Sequence, residues 1–114
     1  MKALPLLPVL CCGPGTEPLD AAEAAALAAR FKALADPARV RIVNVLATSG
    51  EPVCVCNLVG PLGLSQPTVS HHMKKLADVG IVEREQRGRM AYFALRPEAV
   101  DALASVTDLR GACC

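Results

Sequence analysis

Tryptophan is absent from this 114-residue sequence, and the other aromatics amount to one tyrosine and two phenylalanines. An aromatic-centred core is thereby excluded, and alanine, leucine and valine must supply the buried surface of one small domain. An excess of charge of one sign is missing too. Twelve Lys and Arg stand against eleven Asp and Glu, a formal net charge of +1, so any affinity for nucleic acid has to come from local clustering. No apolar stretch reaches the roughly 20 residues that a membrane-spanning helix needs. Neither a catalytic triad, a phosphate loop nor paired carboxylates are present, so an enzyme is not expected. The two histidines, His71 and His72, are adjacent and would point about 100° apart on a helix, which excludes a histidine zinc site.

What is present is a basic cluster and an excess of thiols. Between Leu62 and Arg96, the cations Lys74, Lys75, Arg84, Arg87, Arg89 and Arg96 outnumber the anions Asp78, Glu83 and Glu85, leaving the rest of the chain slightly acidic. Six cysteines fall in three close pairs, Cys11 with Cys12, Cys54 with Cys56, and Cys113 with Cys114. Adjacent cysteines make poor disulfide partners for each other, because a bridge wants Cα atoms about 5.5 Å apart with converging Cβ vectors. The leader MKALPLLPVLCCGPGTEP does not read as an export signal. Pro5 and Pro8 interrupt its apolar run, and Leu10 stands before Cys11 where a cleavage site needs a small residue. The expectation is a cytoplasmic chain, in which clustered thiols serve as metal ligands or redox sensors.

Punctuation along the chain predicts mainly helix with a small hairpin. Residues 1–18 read as a cysteine-bearing arm, 19–109 as the folded domain and 110–114 as a cysteine tail. A first helix is capped by Thr16 or Asp20 and places Leu27, Phe31 and Leu34 on one face. Asp36-Pro37 stops it and starts a second, expected to turn Val40, Val43 and Leu46 inward, to leave Arg39 and Arg41 for the surface or for ion pairs, and to end at Ser49-Gly50. The segment VCVCNLVGPLG has room for only two helical turns. After it, Ser65 caps and Gly80 stops a helix of about fifteen residues, completing a helix-turn-helix pattern. A two-stranded hairpin with its tip at Gln86-Arg87-Gly88-Arg89 forms a wing. Pro97 opens a last helix whose Val100, Leu103 and Val106 suit an interface, and this helix and the first are expected to hold a two-fold dimer.

On a helical wheel, Val69, Met73 and Leu76 form a buried stripe, while Ser70, His71, Lys74, Lys75 and Asp78 lie opposite. Hydroxyl, imidazole and ammonium donors on one exposed face suit the major groove of double-stranded DNA. Arg84, Arg87 and Arg89 of the wing would follow the backbone or enter the adjacent minor groove. His72 lies nearer the apolar edge and is expected to pack and donate one structural hydrogen bond.

From about Phe31 to Pro97 the sequence resembles the ArsR/SmtB family of metal-responsive winged-helix repressors, in the stretches FKALADPARVRIVNVL, PVCVCNLVG, LSQPTVSHHMKKLADVGIVEREQRGRMAYFAL and RPEAV. The resemblance implies a winged helix-turn-helix homodimer that binds an operator and is released by a toxic metal or metalloid. It carries operator reading to Ser65, Gln66, Thr68, Ser70 and His71, with Arg87 and Arg89 in the wing. Two departures narrow the effector. Where self-contained arsenite sites of the family have a third cysteine, this chain has Val59, and its last helix carries no histidine for the zinc-sensing site.

An all-sulfur donor set selects a soft ion. Cys54 and Cys56 would point about 200° apart in a continuous helix, so both reach one ion only if Cys54 stands at a non-helical start, which Pro52 favours and where a helix dipole would lower its pKa. Cys11 and Cys12 are expected to complete the site, as in the family branch with N-terminal cysteine ligands. Three sulfurs suit As(III) or Sb(III), and four suit Cd(II) or Pb(II). A thiol redox regulator would use the same cysteines. Cys113 and Cys114 stay unassigned.

Overall fold

The computed structural model describes residues 18–108. Cys11, Cys12, Cys113 and Cys114, with nearly all of the expected arm and tail, lie outside the described residues. Helix α1 spans Ala21–Leu34 and begins with a reciprocal capping box, in which Asp20 accepts from the Glu23 backbone and Glu23 accepts from that of Asp20. Of the two caps expected, Asp20 is the one observed. Asp36 accepts from the backbone N–H groups of Ala38 and Arg39 to start α2, Pro37–Ser49, with proline in the first turn and left-handed Gly50 at its end.

The buried face of α2 corrects the sequence reading. Ile42 is fully buried and Leu46 nearly so, whereas Val40 is 52% exposed. Three-residue spacing drifts by about 60° per step around a helix, so Val40 and Leu46 cannot share one face. Phe31, expected to line the inner face of α1 beside Leu27, likewise sits at the surface while Leu27 is buried.

Strand β1 (Val53–Cys54), a 3₁₀ turn (Val55–Asn57) and the one-turn helix α3 (Val59–Leu62) follow. Helix α4, Gln66–Asp78, is capped by the Ser65 hydroxyl, which accepts from the Thr68 backbone. At its other end the Gly80 N–H donates to Ala77 and the Ile81 N–H to Leu76. This is the Schellman pattern, made possible by the left-handed φ of 75° at Gly80. Strands β2 (Val82–Arg87) and β3 (Met90–Leu95) form the wing, paired from Val82 with Leu95 to Arg87 with Met90. Gly88, at φ 61°, opens the two-residue turn as primed hairpin turns require.

The sheet has three antiparallel strands in the order β1-β3-β2, one more than the hairpin expected, because Val53 and Cys54 pair with Phe93 and Tyr92. Two residues are too short to show a period. Helix α5, Pro97–Thr107, buries Ala99 but leaves Val100 exposed. Ile42, Leu58, Val69, Met73, Leu76 and Ile81 form the core beneath α4. Leu76→Ala at its centre is expected to lower unfolding stability by about 2–5 kcal/mol, read as a shift in the urea midpoint.

Candidate nucleic-acid interface and thiol centre

Packing alone fixes which side of α4 faces outward. With Val69, Met73 and Leu76 fully buried, Gln66, Ser70, His71, Lys74 and Lys75 are left exposed. Ser65 and Thr68 are also at the surface, but their hydroxyls lie 2.9 Å apart in a mutual hydrogen bond, so they serve the cap in the absence of a ligand. Lys74 is paired with Asp78 one turn on, at 3.3 Å and with both side chains mostly in solvent, an arrangement that contributes little and yields readily to a phosphate.

Two guanidinium groups tie α4 to α1 and α2, and neither role was visible in the sequence. Arg30 of α1 donates from Nε to the Val79 carbonyl at the end of α4, at 3.1 Å. Arg39 of α2 donates from Nε to His72 Nδ1 at 3.1 Å and from its terminal nitrogen to the Ala33 carbonyl at 3.1 Å. Arg39 is thus a clasp joining three helices through neutral acceptors, where the surface or an ion pair was expected, and His72 accepts a hydrogen bond where donation was expected. Arg41 stays exposed at the surface, as expected, and donates to the Pro61 carbonyl at 2.9 Å, which ties α2 to α3.

Asp36 belongs to the same clasp. Burial pushes its carboxyl up, but the backbone N–H groups of Arg39 and Ala38 and the field of His72 and Arg39 outweigh burial and hold it below its ordinary 3.8. A depressed carboxyl stabilises the fold at pH values above its unfolded pKa, and that contribution is lost as pH falls through the folded value. Asp36→Asn is therefore expected to melt earlier than the parent at neutral pH, with the two melting curves converging as pH falls through the lowered folded-state value and the parent carboxyl is protonated. Thermal denaturation across pH checks this.

In the wing, β2 carries Arg84 and Arg87 and the turn carries Arg89, all three exposed. Arg87 is engaged on both sides, by Glu85 at 3.0 Å and by the Tyr92 ring, whose centroid lies 4.6 Å from the guanidinium carbon. Hydrogen bonding to Glu85 raises the Arg87 pKa still further. Arg84 bonds Gln86 along its own strand, and Arg89 has no partner among the described residues.

The thiol pair meets the geometric condition set for it. Cys54 is extended, at φ −72° and ψ 139°, and stands immediately before the 3₁₀ turn that holds Cys56. Their Cα atoms are 5.2 Å apart, and the sulfurs converge to form a disulfide. The two positions expected to be thiolate ligands are thus joined to each other, and an ion enters only once the pair is reduced. The dipole expected to activate Cys54 shrinks to one interaction, a hydrogen bond from the Cys56 N–H to Cys54 Sγ at 3.2 Å, because a three-residue turn aligns few peptide dipoles. Once reduced, two converging soft sulfurs fit a soft ion. Among the described residues, no group of three or more His, Cys, Asp or Glu is placed to hold a metal.

A cleft of about 460 Å³ separates the exposed face of α4 from the wing, and Cys54 and Cys56 are part of its lining. Gln66, Ser70 and Lys74 line it from α4, and Arg84 and Arg89 line it from the wing. The thiol pair and five of the residues assigned to DNA therefore share one concavity.

A capped helix with a polar outward face, a basic β-ribbon beside it and a short helix in front define a winged helix-turn-helix protein. The chain belongs to the ArsR family of bacterial transcriptional regulators, a non-enzymatic family: the family model described as "Bacterial regulatory protein, arsR family" matches residues 36–84. The arsenic resistance transcriptional regulator ArsR1 of Pseudomonas putida is 42% identical, the match covering 64% of this chain and 59% of that protein. A cadmium resistance transcriptional regulatory protein CadC homolog of Staphylococcus aureus is 40% identical, covering 64% and 60%. The arsenical resistance operon repressor of Bacillus subtilis is 37% identical, covering 67% and 71%. The chain thus spans about three fifths of the length of the first two. Among solved structures, a homodimeric winged helix-turn-helix DNA-binding domain from Mycobacterium bovis superposes with a TM-score of 0.66 at 25% identity, covering 84% of this chain and 88% of that one. No helix among the described residues is long and apolar enough to cross a membrane.

Proposed function

We propose that this chain is a metalloid-responsive repressor that binds operator DNA as a homodimer and dissociates when As(III) or Sb(III) is captured by cysteine thiolates. The observation that carries the reading is the convergence of Cys54 and Cys56 in the cleft beside α4. Two sulfurs bind one soft ion there, and Cys11 or Cys12 supplies the third. Ser70 and His71 read base edges, Gln66 reads at the start of the helix, and Lys74, Lys75, Arg84, Arg87 and Arg89 hold phosphates, with Ser65 and Thr68 at the cap joining them. The exposed Phe31 and Val100 belong to the dimer seam, on α1 and α5. The folded unit runs over residues 19–109, with cysteine-bearing segments on both sides, and works in the cytoplasm.

The S. aureus relative, named for cadmium resistance, supports a second effector class, cadmium or lead, which would need a fourth sulfur. The bond between Cys54 and Cys56 supports a redox reading of the same pair. One experiment separates the three. Release of a DNA duplex that the protein itself selects from a random pool is measured against As(III), Sb(III), Cd(II), Pb(II), Zn(II) and diamide, with free thiols counted before and after. The expected result is release by As(III) and Sb(III) with loss of three thiols. Release by diamide alone moves the assignment to redox control, and release by none of them removes it.

A further inference from the structure

We infer that His72 is a positioning residue for DNA reading, effective only while its Nδ1 carries no proton, so that solvent protons and the duplex oppose each other through α4. That role rests on the DNA reading above and deepens it with a regulation that the contact residues themselves do not supply. His72 is half-buried and lies between exposed His71 and buried Met73. Its ring meets α2: Arg39 donates from Nε to His72 Nδ1 at 3.1 Å, while its terminal nitrogen holds the Ala33 carbonyl near the end of α1. A guanidinium has donors only and keeps its charge. The nitrogen facing it must therefore be the lone-pair nitrogen of a neutral imidazole, with the ring proton on Nε2. Among the described residues, no other hydrogen bond joins α2 to α4.

A proton on Nδ1 sets donor against donor and two positive charges where one hydrogen bond stood. Arg39 keeps Ala33, and α4 loses its tie to α2 next to His71, a reading residue whose ring centroid lies 6.1 Å from that of His72. Histidine is the side chain that takes up charge between about pH 5 and 8. Charges on three helices act on the ring. From α2, Arg39 repels a proton there, and the Asp36 carboxylate, which the charge of His72 reaches, attracts one. Both hydrogen bonds that Asp36 accepts use Oδ1, and its Oδ2 accepts none among the described residues. From α4, His71 and Lys75 oppose protonation as neighbours on the helix surface. Lys32 of α1 joins them across a concavity of about 410 Å³ that Lys32, Arg39, Lys75 and Asp78 line. The Asp78 carboxylate there is paired with Lys74. His72 thus stands between two partners on one helix, Arg39 for its neutral form and Asp36 for its charged form.

Reciprocity fixes the signs. If the protonated ring leaves α4 poorly placed, the duplex must favour the unprotonated ring, and affinity falls with pH by up to about one decade per pH unit for each chain bound. A histidine that merely stands near phosphates does the opposite, because negative charge favours its protonated form. The test uses the full chain and a fluorescent copy of the selected duplex, at constant ionic strength between about pH 5.5 and 8. Anisotropy isotherms are recorded for the parent and for His72→Asn, whose amide oxygen can take the place of Nδ1 and does not titrate. His71 is common to both and cancels in the comparison. We expect the parent, normalised at the upper pH, to bind about 5-fold or more weakly than the variant at the lower one. An imidazole NMR titration of the unmodified chain needs no variant: on adding duplex, the His72 midpoint should fall and that of His71 should rise. A parent profile that matches the variant's or tightens relative to it, or a His72 midpoint that rises with duplex, overturns the inference and leaves the DNA reading standing. Failure to bind duplex at any pH overturns both.

Discussion

Cys56→Ser is expected to bind the selected duplex as tightly as the parent and to stay bound when arsenite is added. The side chain is exposed in a one-turn 3₁₀ segment, so in the reduced protein, where its bond to Cys54 is already open, replacing sulfur by oxygen opens no cavity and leaves α4 and its arginine clasps in place. What disappears is one of the two sulfurs that the described residues offer to an ion. The coupling between an effector and a second ligand is typically about 1–3 kcal/mol, or about 5–150-fold in affinity, and the variant should forfeit all of it. Cys54→Ser is the less clean experiment. Its sulfur is buried within the sheet and accepts the Cys56 N–H, and a poorly satisfied hydroxyl there would cost about 1–3 kcal/mol in stability. Fluorescence anisotropy of the labelled duplex, titrated with arsenite, reads both variants. Release of Cys56→Ser at the parent's arsenite concentration would dissociate the thiol pair from regulation.

The contrast between these cysteines shows what the sequence could and could not convey. Asp36-Pro37, Ser65, Gly50 and Gly80 act through local backbone chemistry, so the ends of α2 and α4 were legible. The outward face of α4 was legible too, because Val69, Met73 and Leu76 keep near-helical spacing and all are buried. Val40 misled because α2 is apolar on more than one side, and only packing in the common core selects Ile42 and Leu46. Arg30 and Arg39 carry no local signature, since their partners Val79 and His72 lie 49 and 33 residues away. Cys54 fell between the two cases. Its non-helical start could be argued from Pro52, but the β1 pairing that buries it joins positions far apart in the chain. The shared cleft is likewise a product of topology: strand order β1-β3-β2 brings the thiols to the wing.

A wing and helix that work by holding phosphates should announce it in their salt dependence. Each phosphate neutralised on duplex DNA contributes about 0.9 to the slope of log affinity against log salt. Replacing Lys74, Arg84 and Arg89 together by alanine changes both halves of a dimer, so up to about six phosphates should go unneutralised and the slope should flatten by about 5. The weakening should be similar for matched and mismatched duplexes, because phosphates carry no sequence information. Ser70→Ala and His71→Ala should do the opposite, leaving the slope unchanged while discrimination between duplexes falls by about 1–3 kcal/mol for each base edge no longer read. Arg87→Ala should flatten the slope less than Arg89→Ala, because Arg87 must give up Glu85 and the Tyr92 ring before it can serve DNA, whereas Arg89 stands at the tip without a partner among the described residues. Binding isotherms between about 50 and 200 mM salt separate these outcomes. An unchanged slope in the triple variant would move the DNA-binding surface away from the cleft, and with it the reason for the thiols to stand there.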